Sequence, residues 1–551
     1  MLSRRRGRAL LLVLLTVGAF VVPVTFSGAV PSSSVNENAV TLNLSLPGPF
    51  NGCSFLSTQA TPTTDALLDL TQPSAFVTNP NGTLAGEGGA IASAELTSLS
   101  PETVRYTIGT NQYWSDNTWF NGQDLVAWWQ RAKTLASVTS DGYRAIKSLT
   151  VSTNQLAVTA VFAKPYADWD LLFRDMNEPG APLSCSIANL VQRASLGPYE
   201  VSSATANRIV MVMNPAWTSD PNRFGRIVVT DTQNYPSDAS EAYADFTLAL
   251  SPSSLVALSS HPTLATRIGS SSNIEEITFS PKSTLSDQLF MREALSWSIE
   301  RQTLINKEFG AVTFSPSVAA SAIYSQGQNQ YPGGSGTNPV GQATTTTTTP
   351  TPGGFADCVS CAVSILKENG YVKSAKGWLS DAGTPLVVHL AIGPSDLDES
   401  VAQVVTSDWA SIGVKTRVLV EPSEVAASTA AASGRADVAL LARPTTTTPA
   451  YAARSWAGPA YPDSYPSGVR IPEATTLFDE ASAIFNPVTA STTWLKFDQL
   501  VMSNYWVRPL FTAPSLVVWA SELTPVQSSF TLQGLVDQVP TWSMMPPTIP
   551  S

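Results

Sequence analysis

Between Cys358 and Ala442 the chain repeats one punctuation: helix, glycine, strand. CVSCAVSILKENGY (358–371) carries Ala362, Ile365 and Leu366 on one helical face and stops at Gly370. PLVVHLAI (385–392) reads as a strand. ESVAQVVTSDWASIG (399–413) repeats Val401, Val405, Trp409 and Ile412 at helical spacing and ends at Gly413. VKTRVLV (414–420) and ADVALLA (436–442) are again strands. Alternation of this kind commits the region to α/β layers, because each element must bury one apolar face against the next. Upstream, SDQLFMREALSWSIERQTLINKEFG (286–310) predicts one helix, capped by Ser286, seamed by Met291, Leu295 and Ile299 and ended by Gly310. VTLNLSL (40–46) predicts a first strand.

At 551 residues the chain is too long for one core, so two or three lobes are expected. Charged residues make up only 13 %, and the net charge is −11 from 31 basic and 42 acidic side chains. No Lys/Arg run follows Arg8, so the electrostatic footprint of a nucleic-acid binder is missing. The first thirty residues combine the basic MLSRRRGR, an apolar run from Ala9 to Phe26 broken by Pro23, and the small Ser27-Gly28-Ala29. That is the layout of a signal peptide over 1–29, or of an uncleaved anchor, and it places the rest of the chain outside the cytoplasm.

The cysteines suit an oxidising compartment. Cys53 and Cys185 stand alone, whereas Cys358 and Cys361 form a CxxC. The CxxC suits a local Cys358–Cys361 bridge, and four cysteines allow three pairings. With one CxxC and two distant histidines, His261 and His389, no metal site and no cofactor is expected. His389 falls inside an apolar strand, as a satisfied core histidine would. No GxSxG, Walker A, HExxH or GxGxxG occurs, and nothing points to an enzyme.

Two low-complexity tracts interrupt the second half. Residues 324–354 contain six consecutive threonines and predict an exposed loop; 443–468 is irregular but carries Tyr451, Trp456, Tyr461 and Tyr465. Exposed aromatics on a loop are candidate ligand contacts. YWSDNTWFNGQDLVAWW (113–129) holds Trp114, Trp119, Trp128 and Trp129, which suit either a stacking platform or a core.

Several stretches in order resemble one family. YWSDNTWFNGQDLVAWW, VTAVFAKPYADWDLLF (158–173), LGPYEV (196–201), REALSWSIERQTLI (292–305), ILKENGY, GTPLVVHL, WASIGVKTRV, ADVALLA and PLFTAPSLVVWAS (509–521) are similar to motifs of the extracellular solute-binding proteins of the peptide/nickel class (family 5) of ABC importers, in particular an actinobacterial branch of LpqW-like proteins. The resemblance implies an α/β, two-lobe periplasmic-binding-protein-like fold with a ligand cleft and two inter-lobe crossings, near 274–281 and 505–511. Lobe I would take 36–278 and a return segment 505–545, and lobe II 279–504. The lobes so implied put Cys53 with Cys185.

It implies a binding protein that captures a small ligand (oligopeptide, sugar-like or glycolipid) by hinge closure and works with an ABC permease. The alternative is an LpqW-like scaffold or sensor of envelope glycolipid biosynthesis without a transporter. Trp114, Trp128 and Trp129 then belong to the core, Asp116-Asn117 makes a turn, and Trp119 is left as a candidate contact. Two departures stand out. No cysteine adjoins the N-terminal apolar run, so the lipid anchor usual in such proteins is not expected. The Asp that peptide-binding members use for the peptide amine is absent where this chain reads Ala442-Arg443-Pro444-Thr445-Thr446. Arg443 is instead a candidate fork for an anionic group, with Tyr451, Trp456 and Tyr324 as further ligand contacts.

Overall fold

The computed structural model describes residues 40–57, 61–135, 139–217, 224–232, 242–248, 264–310, 316–324, 331, 357–374, 377–380, 383–444, 448–457, 469, 471–529 and 531–544. The targeting segment, Tyr461, Tyr465 and the threonine tract beyond Tyr331 lie outside these residues. Tyr331 itself packs against a core cluster, and its hydroxyl accepts from the Ala320 N–H and donates to the Val318 carbonyl.

A mixed ten-stranded sheet organises the chain. Its two longest strands, Leu264–Phe279 and Val507–Ala520, pair antiparallel at its centre. Val507–Ala520 is buried along almost its whole length, as a strand covered on both faces must be. At one end this pair contributes Ile277, Phe279, Val507, Leu510 and Phe511 to one hydrophobic cluster; at the other it gives Val517 and Ala520 to a second. A third cluster surrounds a separate antiparallel sheet of Ile91–Leu99, Glu102–Ile108, Ala157–Phe162 and Ile146–Val151. The third cluster is built wholly between Leu56 and Leu196, whereas the second joins residues between Leu42 and Phe246 to residues between Val517 and Trp542.

Beside the central pair lie three mutually parallel strands, Val438–Pro444, Val387–Ile392 and Lys415–Val420. The glycine punctuation works as read. Ser395 caps helix Asp396–Ile412 by accepting from the Asp398 N–H at 3.0 Å, and the helix stops where Gly413 turns left-handed at φ 94°. Ser423 and Gly434 do the same for helix Glu424–Ser433. The single helix expected over 286–310 is two, Leu289–Trp297 and Arg301–Phe309, and the first begins after Gln288 rather than at a Ser286 cap. The break frees the Arg301 N–H, which donates to the Asp357 carboxylate at 3.0 Å, so a distant residue supplies the cap. His389 is satisfied, its Nδ1 lying 3.0 Å from Asp437, but its side chain is 39 % exposed, so it is not a core residue.

Disulfides join Cys53 to Cys185 and Cys358 to Cys361. The buried Arg193 guanidinium donates to the carbonyls of Gly52 and Cys53 and holds the first bridge in place. Because that bridge closes a separation of 132 residues, its removal as Cys53→Ser/Cys185→Ser should cost about 2–4 kcal/mol, readable as a lower midpoint in denaturant. An unchanged midpoint would show that the loop is restrained by Arg193 alone.

Candidate functional site

The tryptophan-rich stretch builds a platform for another segment. Asn117 sits at φ 68° in the turn, as the Asp-Asn pair requires. Helix Gly122–Ala132 starts with a capping box, in which the Asn121 side chain accepts from the Gln123 N–H and Asp124 accepts from the Asn121 N–H at 2.8 Å. The Trp114 indole N–H donates to the same Asp124. Trp114 and Trp128 are 1 % exposed and Trp129 is 9 % exposed, so these three are core. Trp128 Nε1 donates to the Tyr143 hydroxyl at 3.0 Å and Trp129 Nε1 to the Tyr143 carbonyl at 2.9 Å. Both tie down the short helix Ser140–Ala145, which carries Asp141. Trp119 is the exception at 40 % exposed, and it lines an open depression of about 680 Å³ with Asp116, Asn121, Asp124 and Glu178.

Asp141 is where two distant parts of the chain meet. Its carboxylate pairs with Arg144 on its own helix and with Arg454, 313 residues away. Nearby, the Ala167 N–H donates to the Ser482 carbonyl at 2.9 Å, and Asp168 faces Thr448. Segments 139–170 and 448–457 with 471–484 therefore meet through polar contacts, with the Arg454 side chain 5 % exposed between them.

The candidates named from the sequence fall in different surroundings. Strand Val438–Pro444 extends the ladder through Arg443, and the segment after it forms helix Pro449–Ala453 and a 3-10 turn over Arg454–Trp456, not an irregular exposed loop. Trp456 and Tyr324 are each 1 % exposed within one hydrophobic cluster, which corrects the expectation of exposed aromatic contacts. Tyr451 is half-buried. Arg443 is not an open fork: its Nε reaches both Glu276 oxygens, at 3.1 and 3.0 Å, and Nη2 donates to the Ala322 carbonyl. Its Nη1 has no hydrogen-bond partner among the described residues. The structure thus brings Arg443 toward the Tyr324 turn through Ala322, and leaves Trp119 apart, exposed in the stretch that carries a different core.

Sequence reasoning passed over the acidic half of these pairs. Asp498 accepts from the Ala322 N–H at 2.8 Å, and Asp357 pairs with Arg301 and Arg508. The one legible signal was NIEEITF, where two adjacent carboxylates in an apolar strand must both point into protein.

Burial raises several carboxyl groups. Glu102 is pushed up to about 7 by desolvation, against the opposing hydrogen bond from the Tyr166 N–H, and Asp498 to about 6 by desolvation against the Ala322 N–H. Asp69, Asp175 and Glu275 move the same way, burial being the largest cause in each. A carboxyl whose folded pKa lies above its unfolded value stabilises the fold below the unfolded pKa and loses that contribution as pH rises through the folded one. Thermal stability should therefore be higher at pH 5.5 than at pH 8, with Glu102→Gln flattening the profile. A midpoint that climbs from pH 5.5 to 8 would contradict this assignment.

The model of the bacterial extracellular solute-binding proteins, family 5 Middle, matches residues 89–464, more than half of the chain. The chain belongs to this family. It is 24 % identical over 501 residues to the oligopeptide-binding protein OppA of Mycobacterium tuberculosis strain H37Rv, covering 86 % of this chain and 79 % of that one. A shorter stretch of 128 residues is 30 % identical to the probable monoacyl phosphatidylinositol tetramannoside-binding protein LpqW of the same strain, covering 22 % and 20 % of the two chains. Among solved structures, the periplasmic EDTA-binding protein EppA superposes with a TM-score of 0.77 at 20 % identity, over 93 % of this chain and 98 % of that one. The fold is therefore that of family 5 periplasmic binding proteins, and the relatives are solute-binding proteins rather than enzymes. No helix among the described residues is long and apolar enough to cross a membrane.

Proposed function

We propose that the protein is the extracytoplasmic solute-binding subunit of an ABC importer and captures a small ligand between the lobes 36–278/505–545 and 279–504. The observation that carries this reading is the polar seam between segments 139–170 and 448–457 with 471–484, where Asp141 meets Arg454 and Ala167 meets Ser482. The two segments belong to different hydrophobic clusters, and the long strands 264–279 and 507–520 run continuously between cores. Two bodies joined by a pair of strands and touching through one ion pair and two hydrogen bonds suit hinge closure, in which ligand and seam together favour the closed form. Arg443, Tyr451, Trp456, Tyr324 and Trp119 remain candidates at or behind the ligand surface, with Arg443, Trp456 and Tyr324 acting through the framework they pack.

Native mass spectrometry of the protein purified from its own host should find a co-purifying small molecule, and its addition should reduce the radius of gyration in small-angle scattering. Arg454→Ala should shift the ligand-free protein toward the larger radius and weaken ligand binding about 5- to 10-fold, a coupling of roughly 1 kcal/mol. A radius indifferent to both ligand and Arg454 would sink hinge closure. The 128-residue likeness to LpqW supports a second reading, an envelope glycolipid scaffold or sensor without a transporter. Permease and ATPase genes beside this one favour import, and a co-purifying mannolipid without such neighbours favours the scaffold.

A further inference from the structure

The three parallel strands form a switch point. The chain leaves strand Val387–Ile392 through helix Asp396–Ile412 to strand Lys415–Val420 on one flank, then returns through helix Glu424–Ser433 to strand Val438–Pro444 on the other. The two helices cover opposite faces: Leu397, Val401 and Trp409 join the cluster of Leu390 and Leu440, while Ala427, Ala430 and Ala431 join that of Ala391 and Ala439. At the carboxyl ends of such strands, where the crossovers part to opposite faces, open α/β sheets have a crevice that takes ligands.

In this crevice the side chains are acidic. Asp398 comes from the first turn of one helix and Glu424 from the first turn of the other; Glu424 accepts from the Ala442 N–H, Glu275 stands opposite Ala442 in the strand ladder, and both acids repel the Glu275 charge. Glu275 is fully buried, and among the described residues neither of its oxygens has a hydrogen-bond partner, nor has Oδ2 of Asp398, itself 2 % exposed. Glu424 accepts from the Ala442 N–H but meets no cation among these groups. The nearest other charge on Glu275 is Glu276, which Arg443 already answers. Gly393, at the end of the central strand, leaves room for the acids: a Cβ there would stand 2.6 Å from Asp398 Oδ2 and 3.1 Å from Glu424 Cγ. Glu424 is half-buried, with Pro394 and Ser423 exposed beside it, so the acids lie near solvent on that side.

We infer that the crevice formed by Glu275, Asp398 and Glu424 is a subsite for a positively charged organic group, an ammonium or guanidinium carried by the captured solute. Several N–H donors on one cation would meet the unpartnered carboxylate oxygens, and its charge would offset three carboxylates that burial leaves without a countercharge. Among the described residues no group of three His, Cys, Asp or Glu side chains has the geometry to hold a metal ion. The inference rests on the solute-binding reading above and adds the charge of the solute.

The test uses the full exported chain with agmatine, putrescine, spermidine and the dipeptide Lys-Gly, each beside its N-acetylated, uncharged counterpart, by thermal shift and calorimetry. At least one charged member should bind, its acetylated counterpart should bind at least tenfold more weakly, and Glu275→Gln should lose at least tenfold in affinity without lowering the melting point of the unliganded protein. If Glu275→Gln raises the melting point above pH 7 and leaves affinity for the charged compound unchanged, the cluster only stores protons and the inference is overturned. If the co-purifying ligand is neutral or anionic and none of the cations binds, this inference falls while solute capture stands. If no ligand of any charge binds or compacts the protein, both fall together.

Discussion

Trp128→Ala should destabilise the protein by about 3–5 kcal/mol, the cost of emptying a large aromatic site in a packed core. Trp128 is 1 % exposed among Val158, Tyr106, Phe173 and their neighbours. The loss goes beyond volume. Its indole N–H donates to the Tyr143 hydroxyl, which also accepts from the Phe173 N–H at 2.7 Å, so one substitution disturbs a buried three-member chain. Tyr143 sits two residues from Asp141, and the variant should also loosen the Arg454 seam. Equilibrium denaturation measures the first effect and scattering in the absence of ligand the second. A melting point within a degree of the parent would remove Trp128 from the core.

Trp456→Ala should show a loss of similar size, about 3–5 kcal/mol, although the sequence suggested a ligand anchor whose removal spares the fold. Trp456 is buried to 1 % exposure in the cluster that also holds Tyr324, Trp494 and Phe511, and its indole N–H has no partner there. A side chain so enclosed can touch a ligand only after the cluster opens. Trp456→Phe separates the two roles, since it keeps most of the apolar volume. It should recover the greater part of the stability and leave ligand affinity within about twofold, the small effect expected of a residue that only shapes the framework. Weakened binding in a fully stable Trp456→Phe protein would return this side chain to the ligand surface.

The two tryptophans show where sequence reading succeeds and where it stops. Trp128 belongs to a stretch whose turn and helix start are written in adjacent residues: Asp116-Asn117 turns, Asn121 caps, and Asp124 closes the capping box. Trp456 follows a proline- and threonine-rich stretch whose composition predicts exposure, yet Pro449 opens a helix there and the next turn drives the indole inward. Local composition cannot report that, because the cluster that holds Trp456 is assembled from distant segments, Trp494 and Phe511 among them.

The sequence by itself determined the α/β alternation, the glycine stop of the helix at Gly413, and membership of the family through motifs in order. Each of those depends on bonds between residues three or four apart, or on patterns repeated within one element. Only the tertiary structure decided which charges meet. Arg443 and Glu276 lie 167 residues apart, Arg454 and Asp141 313 apart, and nothing near either arginine in sequence names its partner. Burial settles that choice: an arginine taken from water must find a carboxylate or a carbonyl within reach, and which one is within reach is a property of the closed chain.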